Sequence, residues 1–463
     1  MSKPITLAAQ LYTLRDQMKD KPSAAEALRR VAEMGYDAVQ LSAVPVGAED
    51  PTWFHSVCEQ NGLSILSTHS DFRRMREEPD ALIADHRLLD CKNMGIGHMP
   101  QEFHSAEGVV AFAEIVEEIA LRAADAGIRL LYHNHRFEFE KADGRWWLDI
   151  LLEKAPHLFL LPDLYWVAAA GVNPSDFLKK YRGRYDQVHF KDYKIANDQN
   201  TFCEIGRGNI DYIHLARQLY GYGVTNFTVE QDACDGDPFD SLQISLRYLH
   251  DTVLPALHEA FPGDLHKTAA ALERKGYTVR VFQTAAQAAD DLDRRIDGVS
   301  VAFGGSMTLQ EMGMADRLKV HNTLVSHWDV PAGKTAEQVR QEAMSTDVYL
   351  TSANAVAEDG SIINLDGTGN RISSTLYGHK KVIFVVGRNK LVSTAEEAVW
   401  RTRNIASPKN AQRLGRKTPC AACAERCYDC TSTERICSGL AVHLKKMGGC
   451  EMEVVLIDQP LGY

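Results

Sequence analysis

The chain has 463 residues, more than one ordinary domain contains, so two or three domains are expected. Its hydrophobic content of 45% and charged content of 24% are typical of a soluble globular protein. The formal charge of -11 argues against a nucleic-acid groove or an anionic membrane as the main partner. No apolar run approaches the ~20 residues of a membrane helix, and the first residues lack the apolar core of a signal peptide. We therefore expect a cytoplasmic protein.

The first 261 residues alternate short apolar runs with helical patterns. Ile5–Ala9 and Asp37–Leu41 are the first two predicted strands, and the helix between them is predicted to begin with a capping box at Ser23–Glu26. Eight strands alternating with helices over ~250 residues predict a (β/α)8 barrel. A doubly wound sheet is the alternative, but no G-x-G-x-x-G fingerprint follows the first strand. The other strand-like runs lie near Leu63, Gly95, Ile128, Leu158, Gln187 and Phe227.

Polar and ionisable side chains recur at the ends of these predicted strands. In a (β/α)8 barrel the carboxyl ends of the strands converge on one mouth, where the active site lies. The clearest case is the segment 130–139, in which a buried strand runs into two histidines, an arginine and a glutamate. A solvated loop that happens to contain histidines is the alternative, but several strands end in this way. The strand-end residues are Gln10, His69, His98, His133, His135, Glu138, Asp163, His189, Lys191, Asp192 and Glu230.

Clustered carboxylates with a histidine predict a divalent cation at this mouth. Asp163 and Glu230 each follow an apolar strand, with no lysine or arginine directly beside them in sequence. Such an oxygen-rich set favours Mn²⁺ or Mg²⁺ over a structural Zn²⁺. His69 and His98 are predicted to line the pocket, with a hydrogen-bonded filler as the alternative for each.

The first ~260 residues resemble the sugar phosphate isomerase/epimerase family, which has a xylose isomerase-like barrel. Each motif is weak alone, and the set is specific. Two departures from the family, Arg207 where relatives often carry glutamate and Pro162 before the metal aspartate, could alter substrate fit. The matching motifs are Ala9–Arg15, Gly35–Gln40, Tyr132–Phe139, Asp163–Gly171, His189–Asp192, Gly206–Asp211 and Val229–Asp232.

The resemblance implies one divalent metal held by two glutamates, an aspartate and a histidine. His133 or His135 could take the place of one glutamate, Glu138. The implied reaction is proton transfer next to a carbonyl group, which isomerises or epimerises a sugar or sugar derivative. Glu230 is the expected acid/base on one face, with Glu138, His133 or His135 opposite. The implied metal ligands are Glu138, Asp163, His189 and Glu230.

Two cationic residues of the mouth, Arg136 and Lys191, are expected to orient hydroxyl, carboxylate or phosphate groups. Salt bridges at the barrel rim are the alternative. The family also contains dehydratases and lyases that use the same enediolate, including enzymes that cleave oxidised glycosides. The sequence does not choose among these reactions. We expect a small-molecule sugar or sugar-acid substrate, and the sequence leaves open whether the chain forms a homo-oligomer.

A second α/β domain is predicted over residues 265–463, after a barrel that ends at residue 261 and a linker at Pro262–Asp264. A Gly-Gly-Ser turn at 304–306 lies between a strand and a helix, where backbone N–H groups can face an anion or simply form a tight turn. A hairpin is predicted with Asp359–Gly360 at its turn, followed by a polar glycine-rich loop.

This second half resembles the LUD (lactate utilisation) domain family, which shares a fold with CoA-transferase-like proteins. The resemblance rests on Gly304–Gly313, Thr351–Asn354 and Gly360–Ile372. It implies a ligand pocket, and a place in hydroxy-acid or sugar-acid catabolism. Ordinary turn and capping roles are the alternative for the residues concerned. The candidate pocket residues are Gly304, Gly305, Ser306, Glu311, Asn354, Asp366 and Asn370.

Six of the ten cysteines fall within residues 420–450. Thiols this closely spaced favour an iron–sulfur cluster or a structural zinc ion, and LUD proteins are associated with iron–sulfur partners. Free thiols or a regulatory disulfide are the alternative. The segment would either serve an enzymatic LUD domain or make it a redox-responsive, partner-binding module. The candidate ligands are Cys420, Cys423, Cys427, Cys430 and Cys437, with Cys450 further on.

Overall fold

A computed structural model of the protein describes residues 4–326 and 329–463. The first three residues, which belong to the segment that is expected to lack a signal peptide, lie outside this range. Contacts divide the chain into two compact units, with the division between Leu257 and His258. Each unit has hydrophobic core of its own. Within the described ranges, no helix is both long enough and apolar enough to cross a bilayer.

The N-terminal unit is a barrel of eight parallel strands, as predicted. The strands are buried on both faces because helices cover the outside and side chains fill the inside. Neighbours in sequence are neighbours around the barrel. The strands are β1 (Thr6–Gln10), β2 (Ala38–Leu41), β3 (Ser64–Ser70), β4 (Asn93–Ile96), β5 (Arg129–His133), β6 (Phe159–Leu161), β7 (Gln187–Phe190) and β8 (Asn226–Val229).

The barrel closes between β6 and β7, where the two strands form few backbone hydrogen bonds with each other. A single bridge joins Asp163, just after β6, to His189 in β7. The His189 N–H donates to the Pro162 carbonyl at 2.7 Å. The seven other neighbouring strand pairs form ladders of three or more residue pairs. The junction of β6 and β7 is therefore the least paired part of the barrel wall.

The helices of this unit follow the predicted order, with two differences at their ends. The first helix begins at Lys21, because Asp20 is its N-cap and accepts a hydrogen bond from the Ser23 N–H at 2.9 Å, so the predicted box at Ser23–Glu26 is wrong. The last helical segment ends at Ala256 and not near Phe261. The α-helices are Lys21–Met34, Pro45–Glu49, Pro51–Gln60, Phe72–Glu77, Pro79–Leu88, Ala106–Asp125, Trp147–Lys154, Leu164–Ala169, Pro174–Lys180, Tyr212–Tyr222, Pro238–Tyr248 and Leu254–Ala256.

Shorter elements connect these helices and strands. One hairpin, Asp192–Ala196 with Gln199–Cys203, follows β7 directly and lies on the carboxyl side of the barrel. A smaller hairpin precedes the helix that starts at Trp147. The 3₁₀ turns are Leu11–Gln17, Gln101–Phe103 and Phe137–Phe139, the π turn is Leu249–Val253, and the small hairpin is Lys141–Ala142 with Arg145–Trp146.

The C-terminal unit contains a parallel sheet of six strands and a smaller sheet of four. The predicted hairpin is confirmed, since Ala355–Ala357 pairs antiparallel with Ile362–Asp366 around a turn at Gly360. The parallel sheet is, in spatial order, Thr278–Phe282, Glu451–Ile457, Lys381–Gly387, Val348–Thr351, Ser300–Phe303 and Thr323–Val325. The small sheet is Leu391–Val392, Ala355–Ala357, Ile362–Asp366 and Gly439–His443.

The segment predicted as a linker is an ordered part of the C-terminal unit. Pro262 forms an antiparallel bridge with Val392, and the Gly263 N–H donates to the Leu391 carbonyl at 3.0 Å. The helices of this unit are Leu265–Arg274, Ala285–Arg295, Met307–Glu311, Met314–Leu318, Ala336–Ala343, Asn370–Leu376, Ala395–Arg401, Ser407–Arg413 and Pro419–Cys423, with a 3₁₀ turn Arg388–Lys390, a two-residue strand Leu391–Val392 and a π turn Thr402–Ala406.

Candidate metal centre and pockets

Four buried side chains meet at the carboxyl end of the barrel, and each can offer a metal ligand. His133 ends β5, Asp163 follows β6, His189 lies in β7 and Glu230 follows β8. One ligand atom from each residue lies within 4.8 Å of the others. Among residues 4–326 and 329–463 this is the one group of its kind. Four strands that are adjacent in the barrel therefore bring together residues up to about a hundred positions apart.

Hydrogen bonds tie the four side chains together. His133 Nε2 lies 3.2 Å from Asp163 Oδ2, and His189 Nδ1 lies 2.7 Å from Glu230 Oε2. The buried Lys191 ammonium lies 3.1 Å from both Asp163 Oδ2 and Glu230 Oε2. The carboxylates thus have a positive partner inside the site, although the sequence around them shows none directly adjacent.

Burial and charge shift the pKa values of this group in opposite directions. Burial disfavours the charged forms of Asp163 and Glu230, but Lys191 and the neighbouring histidines lower the pKa of both carboxyls. Burial also opposes the charged form of Lys191, but its carboxylate neighbours raise its pKa. For His133, the hydrogen bond and charge of Asp163 outweigh burial and raise the pKa. The carboxylates are therefore ionised at neutral pH, as ligands must be.

This donor set fits a divalent cation. Two imidazoles and two carboxylates are a common mixture for first-row metals such as Mn²⁺ and Zn²⁺. His189 Nε2 is buried and has no hydrogen-bond partner among the described residues, so one ring nitrogen is left for a ligand. His133, Asp163, His189 and Glu230 are the residues that would hold the ion.

Glu138, the expected fourth ligand, lies outside this group. Its Oε1 accepts a hydrogen bond from the Tyr132 hydroxyl at 2.6 Å, and its Oε2 accepts one from the His135 N–H at 2.9 Å. The 3₁₀ turn Phe137–Phe139 directs the carboxyl back toward β5. Burial raises the pKa of Glu138 to about 7, against the effect of its hydrogen bonds. The position expected for Glu138 is held by His133, and Glu138 braces the turn that carries His135.

A cavity of about 750 Å³ opens at the metal group. His135 Nδ1 and His69 Nε2 are buried there without a hydrogen-bond partner among the described residues. Arg136 is exposed on its turn and, like Glu138, is not part of the cavity wall. Asp232, to which the sequence assigned no role, also lines the cavity and lies 2.9 Å from Lys191. The predicted site residues in the wall are His69, His98, His133, His135, Lys191 and Glu230.

Two other strand-end residues do not line the cavity but form hydrogen bonds that hold the neighbouring loops in place. Gln10 donates to Gln40 Oε1 at 2.9 Å and caps the 3₁₀ turn after β1. Asp192 is buried, and its carboxylate accepts backbone hydrogen bonds from Tyr193 and from the loop at 206–210. Both residues therefore act through the loops that they fix.

The C-terminal unit has a cavity of about 190 Å³ of its own. Gly304 is not part of its wall but lines a second cavity of about 320 Å³, and a Cβ at this position would lie 2.6 Å from Thr351 Oγ1. Glu311 is also outside the wall and accepts a hydrogen bond from the Gly462 N–H at 2.8 Å. Sequence reasoning missed Lys390 and Arg371, which line the cavity. The predicted residues in the wall are Gly305, Ser306, Asn354, Asp366 and Asn370.

The cysteine segment does not bring three thiols into ligand distance within the described residues. Cys420, Cys427 and Cys437 are nevertheless neighbours: burial raises the pKa of the Cys437 thiol, and the charges of Cys427 and Cys420 add to this effect against that of Arg435. Cys423 is the exposed member, Cys430 is half-buried and none of the ten cysteines is in a disulfide.

Family models match both halves of the chain. Residues 28–251 match the xylose isomerase-like TIM barrel, and residues 265–457 match the LUD domain. The protein therefore consists of a xylose isomerase-like TIM barrel domain followed by a LUD domain. Among proteins of curated function, none matches the chain.

Solved structures similar to this chain cover its N-terminal half. A sugar phosphate isomerase/epimerase from Parabacteroides distasonis is 19% identical, with 55% of this chain and 96% of that chain covered and a TM-score of 0.46. A probable 3-DHS dehydratase, AsbF, from Bacillus anthracis is 14% identical, with 54% and 100% covered and a TM-score of 0.44. A xylose isomerase-like TIM barrel protein from Mycobacterium smegmatis in complex with magnesium is 20% identical, with 55% and 98% covered and a TM-score of 0.43.

Proposed function

We propose that the barrel is a divalent-metal-dependent isomerase or epimerase that acts on a sugar or sugar derivative by proton transfer next to a carbonyl group. The observation that carries this proposal is the buried group His133, Asp163, His189 and Glu230, of which His133 and Glu230 line the 750 Å³ cavity. A cation bound there would stabilise the negative charge that develops on substrate oxygens when the proton leaves. The cavity is large enough for a sugar, since small-molecule pockets span roughly 300–1,000 Å³.

Two groups are proposed to move the proton. Glu230 faces the cavity with an ionised carboxylate and is the acid/base on one side. Of the three residues expected opposite, Glu138 has both oxygens engaged and His133 is bonded to Asp163. His135 lines the cavity with an unpartnered ring nitrogen, so it is the second proton-transfer group. Lys191 neutralises the carboxylates and is positioned to orient a substrate oxygen.

The test is solvent exchange in D₂O with full-length protein reconstituted with Mn²⁺. Ketoses, aldoses and uronates are incubated with the protein, and loss of the C–H proton beside the carbonyl is followed by NMR. We expect exchange with at least one of these classes and about a 100-fold or greater loss of rate in His135→Gln, with metal content unchanged. The surface variant His157→Gln is the control. Absence of exchange with all three classes, from protein that retains its cation, would contradict the proposal.

The same experiment separates isomerisation from elimination. Removal of the same proton can be followed by loss of a hydroxyl or a glycosidic oxygen, as in a lyase or dehydratase that acts on oxidised sugars or glycosides. An epimer or isomer as product supports the first reaction, and an unsaturated or dicarbonyl product supports the second.

For the LUD domain we propose a role on a hydroxy acid or sugar acid, with the cysteine segment as an iron–sulfur site. The six cysteines within residues 420–450, none of them in a disulfide, support this proposal. Protein purified without oxygen is expected to contain iron and matching acid-labile sulfide, which Cys420→Ser with Cys423→Ser would remove. Zinc near one ion per chain, with neither iron nor sulfide, would instead support a structural site.

A further inference from the structure

The cavity of the C-terminal domain has more positive than negative charge around it. Its wall contains Lys390, Arg371, Arg413 and Arg416 against one acidic side chain, Asp366. Positive charge is still in excess if the carboxyl group of Tyr463, the last residue of the wall, is counted as a second negative charge. The acidic side chain is also already engaged, because its two oxygens accept backbone N–H groups from the turn at 368–372. With four cationic side chains against one carboxylate, the cavity wall has a net positive charge.

Lys390 is the most buried of these cations. Its side chain is 4% exposed, and its ammonium donates to Thr308 Oγ1 at 2.8 Å and Ser352 Oγ at 2.9 Å. Among the described residues no carboxylate is in ion-pair contact with it. A buried ammonium without a counter-ion costs several kcal/mol, and proteins rarely retain one without a partner. The missing partner is what points to a ligand.

Two further guanidinium groups, those of Arg371 and Arg401, add positive charge near Lys390. Arg371 donates to the side-chain oxygens of Asn364 and Asn354. Arg401 is 3% exposed and donates to backbone carbonyl groups, including that of Asn389. Neutral acceptors hold these groups in place without cancelling their charge. The surroundings of Lys390 are therefore positively charged, with Arg371 in the cavity wall and Arg401 behind it.

The ionisation of Lys390 supports the same conclusion. Burial, with the positive charges of Arg401 and Arg371, lowers its pKa to about 7, against the opposing charge of Glu311. A negative ligand next to the amine would favour its charged form. Binding near neutral pH would then take up protons from the solvent, and affinity would rise as the pH falls from 8 to 6.

We propose that this cavity binds the carboxylate or phosphate group of a small metabolite, with Lys390 as the buried cation that contacts it. At about 190 Å³ the cavity suits a small anion. The competing role for Lys390 is structural, to hold the hydroxyls of Thr308 and Ser352. This inference concerns a second site and does not depend on the reaction of the barrel.

The test is calorimetric titration of the full chain with inorganic phosphate and, separately, with glycolate, at constant ionic strength. We expect saturable binding of at least one anion, and the preferred one identifies the ligand as a phosphate or a carboxylate. Lys390→Gln keeps a polar hydrogen-bond donor on this side chain but lacks the charge, so it is expected to bind at least about tenfold more weakly. Lys445→Gln, an exposed lysine of the same domain, is the matched control.

Two results would overturn the proposal. One is the absence of saturable binding of either anion to the wild-type protein. The other is equal affinity in Lys390→Gln and wild type, which would leave Lys390 a structural role only. Titrations of wild-type protein with glycolate, which stays ionised throughout, in buffers of different ionisation enthalpy need no variant, and glycolate binding without proton uptake at pH 7.5 would likewise contradict a role for Lys390.

Discussion

At the residue scale, the candidate metal group differs from the expected ligand set in one residue, because it contains the imidazole of His133 and not the carboxylate of Glu138. The resemblance implied two glutamates, an aspartate and a histidine, with His133 or His135 as the alternative to Glu138, and of these alternatives it is His133 that lies in the buried group. Imidazole is a softer donor and is a poor ligand for Mg²⁺, which requires oxygen ligands. The sequence expectation of Mn²⁺ or Mg²⁺ is therefore narrowed to a proposal of Mn²⁺ or a similar first-row ion.

Exchange of this one donor should shift the metal preference. We predict that His133→Glu lowers the ratio of Mn²⁺ to Mg²⁺ affinity by about tenfold or more, because it restores an oxygen-rich site. Competitive titration with a fluorescent chelator measures both affinities. Glu138→Gln is the control and should leave the ratio unchanged, since Glu138 is engaged with Tyr132 and His135. An unchanged ratio in His133→Glu would remove His133 from the ligand set.

A second residue-scale prediction concerns Glu453, which is buried in the parallel sheet of the LUD domain. Burial opposes its ionisation, but hydrogen bonds from Arg295 and Lys381 lower its pKa. A carboxyl with a lowered pKa contributes stability above its unfolded pKa of about 4.3, and this contribution is lost as the pH falls through the folded pKa. We predict that Glu453→Gln destabilises the domain by about 1–3 kcal/mol at pH 7, because Lys381 loses its nearest carboxylate and Arg295 keeps only Asp291.

The pH dependence gives this prediction its control. The difference between wild type and Glu453→Gln should shrink as the pH falls below about 4.3, measured by urea unfolding across that range. Glu451→Gln, on the same strand but with an 80% exposed side chain, should change stability little at any pH. A difference that persists unchanged at acid pH would show that packing, and not charge, stabilises Glu453.

Residues also show where sequence reasoning stops. Asp163, His189 and Glu230 were predictable as mouth residues because each lies within two residues of the carboxyl end of an apolar strand, and barrel geometry brings these ends together. The sequence did not predict that the Glu138 carboxyl points away from this group, because its direction depends on a 3₁₀ turn that begins within five residues of the end of β5 and reverses the chain. The burial of Lys390 could not be predicted, because nothing in the residues next to it in sequence distinguishes a buried lysine from an exposed one.

At the element scale, the loop after the β7 hairpin depends on one carboxylate. Asp192 accepts hydrogen bonds from the N–H groups of Gly206, Gly208 and Ile210. A Cβ on Gly208 would collide with that carboxylate and with the Tyr193 carbonyl. The glycine is therefore required by close approach and not by an unusual backbone angle.

We predict that Gly208→Ala destabilises the barrel by about 1–3 kcal/mol, because the added methyl group displaces the loop from Asp192. Gly221→Ala is the matched control: it lies in the helix Tyr212–Tyr222 with open space around it, and should be neutral or slightly stabilising. Thermal unfolding of both variants measures the difference. Equal melting temperatures would mean that the loop accommodates the methyl group elsewhere.

Elements were predicted well where local pattern decides them. The apolar runs that became β1–β8 are short, buried and separated by amphipathic helices, so period and length sufficed. The helix start at Lys21 was missed because Asp20 competes with Ser23 as the cap, and both fit a capping box. Pro262–Asp264 has the composition of a linker, but pairing with Leu391–Val392 is a long-range contact that composition does not encode.

At the scale of the whole molecule, the two domains have separate hydrophobic cores. We predict two calorimetric transitions for the full chain. Gly208→Ala should lower the midpoint temperature of one transition, and Glu453→Gln should lower that of the other. Mn²⁺ should raise only the midpoint that Gly208→Ala lowers, because at a free concentration one hundred times Kd it adds about 2.7 kcal/mol to the free energy of unfolding of that domain. A single transition that all three changes shift would show that the domains unfold as one cooperative unit.

The weakly paired junction of β6 and β7 has a consequence for the resistance of the protein to proteolysis when the supply of metal is low. The two residues that bridge it, Asp163 and His189, are both candidate ligands, so a bound ion would fasten the barrel where its wall is weakest. Without the ion this wall should open locally before the rest of the domain unfolds. We expect amide hydrogens of β6 and β7 to exchange faster with deuterated solvent after chelation, while those of β2 and β3 do not. Metal supply would then set the rate at which proteases reach the chain, and so the lifetime of the enzyme as well as its activity.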